Sequence, residues 1–477
     1  MGLRRQNPLL GRLRLIAALA ALAAAFATGF LVVPREANAV GASPAFGVQF
    51  HATWSDYTDS DRTAVLDKLQ AAGVKWVRID LGWASFQEVG PGTYSQWYVD
   101  LADRVVNAAR ARGIHVLATL WGTPGWANGG RGTNVPPNAA ADYARAATWV
   151  AAHFRGRIEA WEVWNEPNLT AFFAGNAAAY AQLLRVAYPA FKSGDSNAVV
   201  VFGGPSANDT DFLRNVYAAG IRGAFDVMAT HPYQGIADAA PEVPDDGTKY
   251  NLSHVGAVHA LMTANGDGAK QIWFTEFGWS SHTNAPGVQN WNRGVTPAQQ
   301  ADFLVRTIKF VGANYPYVTN IFWYNERNLA SGSAQLDNYG LLDRSLAPKP
   351  AYNALKAYLV GGTPSPTSST STTAPSSTTT PPTTTAPTTT TVRTTTTTPT
   401  TTAPTTTVRT TTTTPTTTAP TTTTVPATTT TRTETIRPTT TTTPTPRPKK
   451  RGSRMLNAHG SGGHSAVGPA RWVLLRR

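Results

Sequence analysis

The sequence predicts an α/β protein, a (β/α)8 TIM barrel over residues 40–360, followed by a disordered Thr/Pro-rich C-terminal tail. Eight short apolar runs follow one another at intervals of about 25 to 50 residues. Such intervals leave room for one crossover connection between parallel strands. The stretches between the runs carry apolar residues at helical spacing, and several close on glycine, as helices often do. Eight alternating strand and helix units argue for a closed parallel barrel, and about 320 residues is an ordinary size for one.

The first four runs are FGVQFH (46–51), VKWVRID (74–80), IHVLATLW (114–121) and IEAWEVWNE (158–166). The last four are VVVFGG (199–204), FDVMATHPY (225–233), QIWFTEFGW (271–279) and NIFWYNE (320–326). DRTAVLDKLQAAG (61–73) and YVDLADRVVNAARARG (98–113) show the helical pattern between runs. In the fourth run Pro167 follows Glu166 at once. Proline has no amide hydrogen for a sheet ladder, so it ends the strand and holds Glu166 at the mouth.

A barrel of this kind carries its functional groups at the C-terminal ends of the strands. Around that rim the sequence places His51, Arg78 and Asp80, Trp121, Asn165 and Glu166, His231 and Tyr233, Glu276, and Trp323. Polar and aromatic residues crowd one rim, the pattern of a sugar-binding cleft.

The rest of the chain divides by composition. Residues 361–447 are almost all Thr, Pro, Ser and Ala, and VRTTTTTPTTTAPTTT occurs twice in tandem, at 392–407 and 408–423. A repeat without apolar positions cannot stack, so it reads as an extended spacer. Residues 448–477 read as a basic, disordered C-terminus. At the other end, Arg4, Arg5, Arg12 and Arg14 precede the apolar run 15–33, and Ala37-Asn38-Ala39 follows it. Those are the parts of an export signal over residues 1–39, which makes the protein secreted or cell-wall associated. A membrane contact is expected only if that segment stays uncleaved as an anchor. With no cysteine in the chain, the exported domain relies on its core and not on disulfides. A monomer is expected.

The net charge of +13 belongs to the tails. Residues 40–360 hold 24 Lys plus Arg and 26 Asp plus Glu, a net of −2. A nucleic-acid groove needs its charge on the folded surface, so that class is excluded.

Glu166 ends the fourth run and Glu276 the seventh, nearly opposite each other around an eight-stranded ring. Cleaving a glycosidic bond needs two carboxyl groups facing each other across it, one to protonate the leaving oxygen and one to attack or to activate water. WNEP on the fourth strand and WFTEFGW on the seventh resemble the acid/base and nucleophile motifs of the clan of retaining barrel glycosidases. That clan includes the cellulase-type family 5 and the β-xylosidase/iduronidase-type family 39. The resemblance covers about 320 residues and all eight strands in order, the extent of one barrel domain. It implies Glu166 as general acid/base and Glu276 as nucleophile. It implies Asn165 on the sugar 2-hydroxyl, Arg78 beside the nucleophile keeping it ionised, and the Tyr233 hydroxyl on the nucleophile with His231 beside it. Trp323 matches the tryptophan that floors the subsite of the cleaved sugar, packing against its C–H face. His51 and Trp121 complete the expected substrate contacts.

The remaining rim residues have plainer readings. Glu162 shares the strand face of Glu166 and reads as a structural carboxylate paired with a base such as Arg78. Asp80 reads as a brace, and Glu326 as loop. Of Trp83, Trp121, Trp126 and Trp279, at least two are expected in the cleft. No metal and no cofactor are expected, since no close His/Asp pair has ligand spacing. Specificity is expected in rim loops such as 125–138 and 234–250. The leading expectation is a secreted retaining glycoside hydrolase acting on a polysaccharide or oligosaccharide by double displacement. A catalytically inactive carbohydrate-binding barrel at the cell surface and a wall-spanning structural protein stand beside it.

Overall fold

The computed structural model of the protein describes residues 43–361. The segment expected to direct export, the Thr/Pro tail beyond 361 and the basic C-terminus lie outside the described residues. Eight strands form the inner ring: β1 (Ala45–Gln49), β2 (Trp76–Gly82), β3 (His115–Trp121), β4 (Ala160–Val163), β5 (Val199–Phe202), β6 (Met228–Thr230), β7 (Ile272–Phe277) and β8 (Val318–Trp323). Each is followed by a main helix: α1 (Asp59–Ala71), α2 (Gln96–Ala111), α3 (Ala140–His153), α4 (Ala177–Gly194), α5 (Thr210–Ala218), α6 (Val255–Ala264), α7 (Pro297–Asn314) and α8 (Pro350–Val360). Every strand pairing is parallel, in the order β5-β4-β3-β2-β1-β8-β7-β6. A parallel bridge between Val201 and Val227 joins the two ends and closes the ring. The expected TIM barrel is borne out.

Local chemistry starts and stops the helices where the barrel needs them. Thr58 caps α1 in a reciprocal box with Asp61, and Thr296 caps α7 in the same way with Gln299. Each box satisfies amide donors that the first turn leaves without helical partners. Pro297 and Pro350 open α7 and α8, where a missing N–H costs nothing. Among the described residues no helix is long and apolar enough to cross a membrane.

Strand alternation sorts the side chains into two environments. On β8, Phe322 points into the barrel and Ile321 and Trp323 point out to the helices. The interior holds an apolar plug of Trp76, Leu117, Ala160, Val201, Val227, Ala229, Trp273 and Phe322. One step further along, the inward residues turn polar: Arg78 follows Trp76, Thr119 follows Leu117 and Glu162 follows Ala160, all buried. The plug is therefore the floor under a buried polar deck, and the deck opens at the C-terminal rim.

Candidate active site

Arg78 is the centre of the deck. Its guanidinium is 1% exposed and donates to four side chains: Nε to Glu162 Oε2 at 2.7 Å, Nη1 to Gln49 Oε1 at 2.7 Å and to Glu276 Oε1 at 2.8 Å, and Nη2 to Asn165 Oδ1 at 2.8 Å. A guanidinium only donates, so the Asn165 amide is held with its oxygen on Arg78 and its NH2 free to face elsewhere. Glu162 also accepts from Thr119 Oγ1 at 2.6 Å and from the Gly204 amide at 3.2 Å. Burial works to raise its pKa, but Arg78 first, with the hydroxyls of Thr119 and Thr275 adding, outweighs burial and holds it below the ordinary carboxylate value. Glu162 is thus a buried anion that balances Arg78.

Glu166 sits on a strained turn. Trp164 and Glu166 both have positive φ, 74° and 40°, a region that residues other than glycine rarely occupy and that clusters at functional sites. The Trp164 indole N–H donates to the Phe172 carbonyl at 2.9 Å, and the Glu166 amide donates to the Gly204 carbonyl at 3.1 Å. Gly204 must be glycine here, because a Cβ would come within 2.6 Å of His231 Nε2 and 2.7 Å of Thr275 Oγ1. The close approach lets β5 fasten the Glu166 turn and support His231 together.

His231 joins the two glutamates. Its Nδ1 lies 3.0 Å from Glu166 Oε1 and 3.7 Å from Glu276 Oε2, and its Nε2 lies 3.1 Å from Thr275 Oγ1. One carboxylate oxygen from each glutamate and a ring nitrogen of His231 all lie within 4.8 Å of one another. Burial, helped by the Arg78 charge, pushes the His231 pKa below its usual value, so the ring is neutral near pH 7.

The two glutamates differ in what surrounds them. Burial pushes the Glu166 pKa up to about 8, with the Glu162 charge adding to it; a hydrogen bond from Ser206 and the charge of Arg78 pull the other way. Glu276 is raised as well, again by burial first. Against that, Glu276 alone of the pair holds a guanidinium at 2.8 Å and the Tyr233 hydroxyl, which donates to Oε2 at 3.1 Å. Each of its oxygens has a strong donor.

The structure sorts the expected site residues into two groups. Asn165, Tyr233 and half-buried Trp121 line the mouth with Glu166 and Glu276. The Trp121 indole N–H has no hydrogen-bond partner among the described residues. Arg78, His231 and His51 lie fully behind that surface and act on other side chains. His51 Nδ1 is 3.0 Å from Glu326 Oε2, and its ring packs on Trp54 at 4.1 Å. Asp80 accepts from Gln49 Nε2 at 3.1 Å, which makes it the brace the sequence suggests.

Trp323 is not brought to the cleft. It is fully buried on the outer side of β8, its ring stacked on Trp279 at 6.3 Å and its N–H donating to the Tyr339 carbonyl at 3.0 Å. The next residue, Tyr324, takes the inward side, edge-on to His51 and to Tyr339. Trp83 and Trp279 are likewise core, and Trp126 ties the 125–138 loop down through a bond to the Gln87 carbonyl at 2.7 Å. Of the four tryptophans, two are therefore core, while Trp121 and Trp126 are both half-buried. Glu326, read as loop, is fully buried and bonds to His51 and to the Tyr57 hydroxyl. Positions 322, 324 and 326 alternate inward, a signal available in the sequence once the parity of β8 is known.

A parallel eightfold barrel with two buried, differently partnered glutamates at its C-terminal rim has the architecture of the barrel glycoside hydrolases. The chain belongs to glycosyl hydrolase family 5 (cellulase), whose pattern it matches over residues 37–328. It is 36% identical over 77 residues to the probable glucan 1,3-beta-glucosidase A of Aspergillus niger, a stretch covering 16% of this chain and 18% of that one. Among solved structures, a family 39 glycoside hydrolase from the gut symbiont Bacteroides cellulosilyticus WH2 superposes with a TM-score of 0.55 at 25% identity, over 67% of this chain and 64% of that one. GH5_18 from Streptomyces cattleya, solved in complex with GlcNAc, gives 0.51 at 21% identity, over 70% and 82%. The GH39 enzyme from Xanthomonas axonopodis pv. citri gives 0.51 at 17%, over 69% and 72%. The last two likenesses concern the fold alone. The chain thus spans under two thirds of the family 39 enzyme and under a fifth of the curated glucosidase.

Proposed function

We propose that this glycosidase is exported, acts on a polysaccharide or its oligosaccharides, and retains anomeric configuration, with Glu276 as nucleophile and Glu166 as acid/base. One observation carries the reading: a carboxylate oxygen of Glu166 and one of Glu276 lie within 4.8 Å. Retaining pairs stand about 5–5.5 Å apart, whereas inverting pairs stand roughly 6.5–9.5 Å apart to admit a water between them. A sugar bound between these two glutamates leaves no room for that water.

In the first step Glu276 attacks the anomeric carbon while Glu166 gives its proton to the departing oxygen. A Glu166 pKa of about 8 keeps that proton in place at neutral pH. The Asn165 NH2, fixed by the Arg78 bond, is oriented to meet a ring hydroxyl as charge develops. In the second step Glu276 is held as the glycosyl ester and carries no charge; Glu166 takes a proton from water, the water oxygen bonds the anomeric carbon, and the Glu276 carboxylate leaves. Export is inferred from the Arg-rich, apolar, Ala-x-Ala start of the chain.

The test is the first product. Proton NMR of a β-aryl glycoside during turnover should show the β-anomer of the free sugar before mutarotation sets in. If the α-anomer forms first, the mechanism is inverting and the reading fails.

A further inference from the structure

We propose that Thr275, backed by Glu162, fixes the tautomer of His231 and so makes its Nδ1 the acceptor for a proton kept on Glu166. Thr275 acts through the imidazole and is a positioning residue. The inference deepens the acid/base role proposed for Glu166 and rests on it for the kinetic consequence alone.

A neutral imidazole carries one ring proton, and its two nitrogens take opposite roles. Which nitrogen holds the proton is set by the partners on either side. Here the assignment starts two side chains away, at Glu162. That carboxylate is a buried anion and can only accept. The Thr275 hydroxyl is among the donors that hold it ionised, so its single proton points to Glu162. What Thr275 Oγ1 offers to His231 Nε2, 3.1 Å away, is therefore a lone pair. Nε2 must carry the hydrogen, which leaves Nδ1 with the free pair.

The relay is sealed from solvent. Glu162, Thr275 and His231 are all fully buried. Gly204 closes over the joint, since a Cβ there would lie 2.6 Å from His231 Nε2 and 2.7 Å from Thr275 Oγ1. At the other end of the ring, Nδ1 faces Glu166 Oε1 at 3.0 Å and Glu276 Oε2 at 3.7 Å. Glu276 needs no donor from the ring, because Arg78 and Tyr233 already serve its two oxygens. Beside an ionised Glu166 the Nδ1 lone pair is repulsive; beside a protonated Glu166 it completes a hydrogen bond. The fixed tautomer thus favours the neutral acid. It works in the same direction as the burial that raises Glu166 to about 8. The titratable groups facing the ring are Glu162 and Glu166 from β4 and its end, Glu276 from β7 and Arg78 from β2. A change confined to Thr275 removes none of them.

The experiment compares the full chain with its Thr275→Val and Thr275→Ser variants. Valine keeps the shape and loses the hydroxyl, while serine keeps the hydroxyl. Without an acceptor at Nε2, the ring should move its proton to Nδ1 and donate it to Glu166, which favours the anion. Two-bond 1H–15N spectra, with His231 assigned through His231→Asn, should show Nε2–H in wild type and Thr275→Ser, and Nδ1–H in Thr275→Val. The 13C-carboxyl titration of Glu166, assigned through Glu166→Gln, should fall by about one pH unit in Thr275→Val alone. The alkaline limb of kcat/KM should follow it down. A wild-type ring with its proton on Nδ1 overturns the proposal, whether or not either variant folds. So does a Glu166 titration that stays in place in Thr275→Val. A titration that falls while the alkaline limb stays supports the fixed tautomer and overturns the acid/base role instead.

Discussion

Glu166 and Glu276 flank one imidazole, yet their surroundings differ in kind. On the β4–β6 side, Glu166 is buried on a strained turn with neutral His231, a serine hydroxyl and no ion pair of its own. On the β7–β2 side, Glu276 is buried too but carries Arg78 on one oxygen and Tyr233 on the other. Burial raises both carboxyls, and the placement of a single guanidinium separates them. One residue type thus meets two different surroundings a few ångström apart, as the proposed acid/base and nucleophile roles require. Arg78 can sit on the second side only because Glu162 and Gln49 already hold it from beneath.

Removing the carboxylates themselves breaks the comparison most directly. Glu276→Gln should lose turnover on every substrate, on the order of 10⁴-fold or more. Glu166→Gln should lose about 10²–10⁴-fold where the leaving group needs a proton. It should spare the first step on dinitrophenyl glycosides, and azide should speed release of the trapped intermediate because it needs no base. The wild-type kcat/KM should fall as pH rises through about 8, where Glu166 loses its proton. On the dinitrophenyl substrate the Glu166→Gln variant should lose that alkaline fall. If the variant is as inactive on activated substrates as on natural ones and azide does nothing, the acid/base assignment is wrong.

Arg78→Lys sharpens the comparison by weakening the one feature that separates the sides. A lysine ammonium has three donors on one atom and cannot span Glu162, Gln49, Glu276 and Asn165 as the planar fork does. Glu276 then faces burial without the directed guanidinium bond at 2.8 Å, so its pKa should rise further. The acid limb of kcat/KM should move to higher pH and the maximum should drop about 10- to 100-fold, the size of one or two lost charge-assisted bonds. An acid limb left in place would mean that Arg78 does not tune Glu276.

How much of this was readable in the chain follows from what periodicity encodes. Alternating apolar runs announce eight strands, and a proline after Glu166 announces where the fourth stops. Which face of a strand looks inward is settled only by ring closure and register. The motif resemblance places Trp323 at the sugar, and only the closed ring shows that Tyr324 takes the inward side instead. The same ambiguity hid Glu326, whose position beyond the strand end reads as loop until Tyr57 and His51 are seen folding onto it. Chain position alone places tryptophans near loops in the cleft. Trp83 and Trp279 instead fill space between barrel and helices, where a large ring buries the most apolar area.

Glu326 supplies the smallest effect. It lies in the deck beneath the rim, away from Glu166, and bonds to the His51 ring. Burial alone would lower the His51 pKa; the Glu326 charge and hydrogen bond, with Asp80 and Glu276 adding, turn the shift upward. A histidine whose folded pKa is raised adds stability that is fully present below its unfolded value of 6.5 and is lost as pH rises through the folded pKa. Glu326→Gln keeps the size of the side chain and removes the charge, so burial should govern and the ring should stay neutral. Wild type should then exceed the variant in melting temperature by a margin that widens as pH falls from 8 to 5, while kcat changes only a few-fold, because neither group touches Glu166. NMR titration of the His51 ring should show its pKa moving down in the variant. A margin independent of pH, with the His51 titration unmoved, would show that Glu326 holds the deck by packing and not by charge.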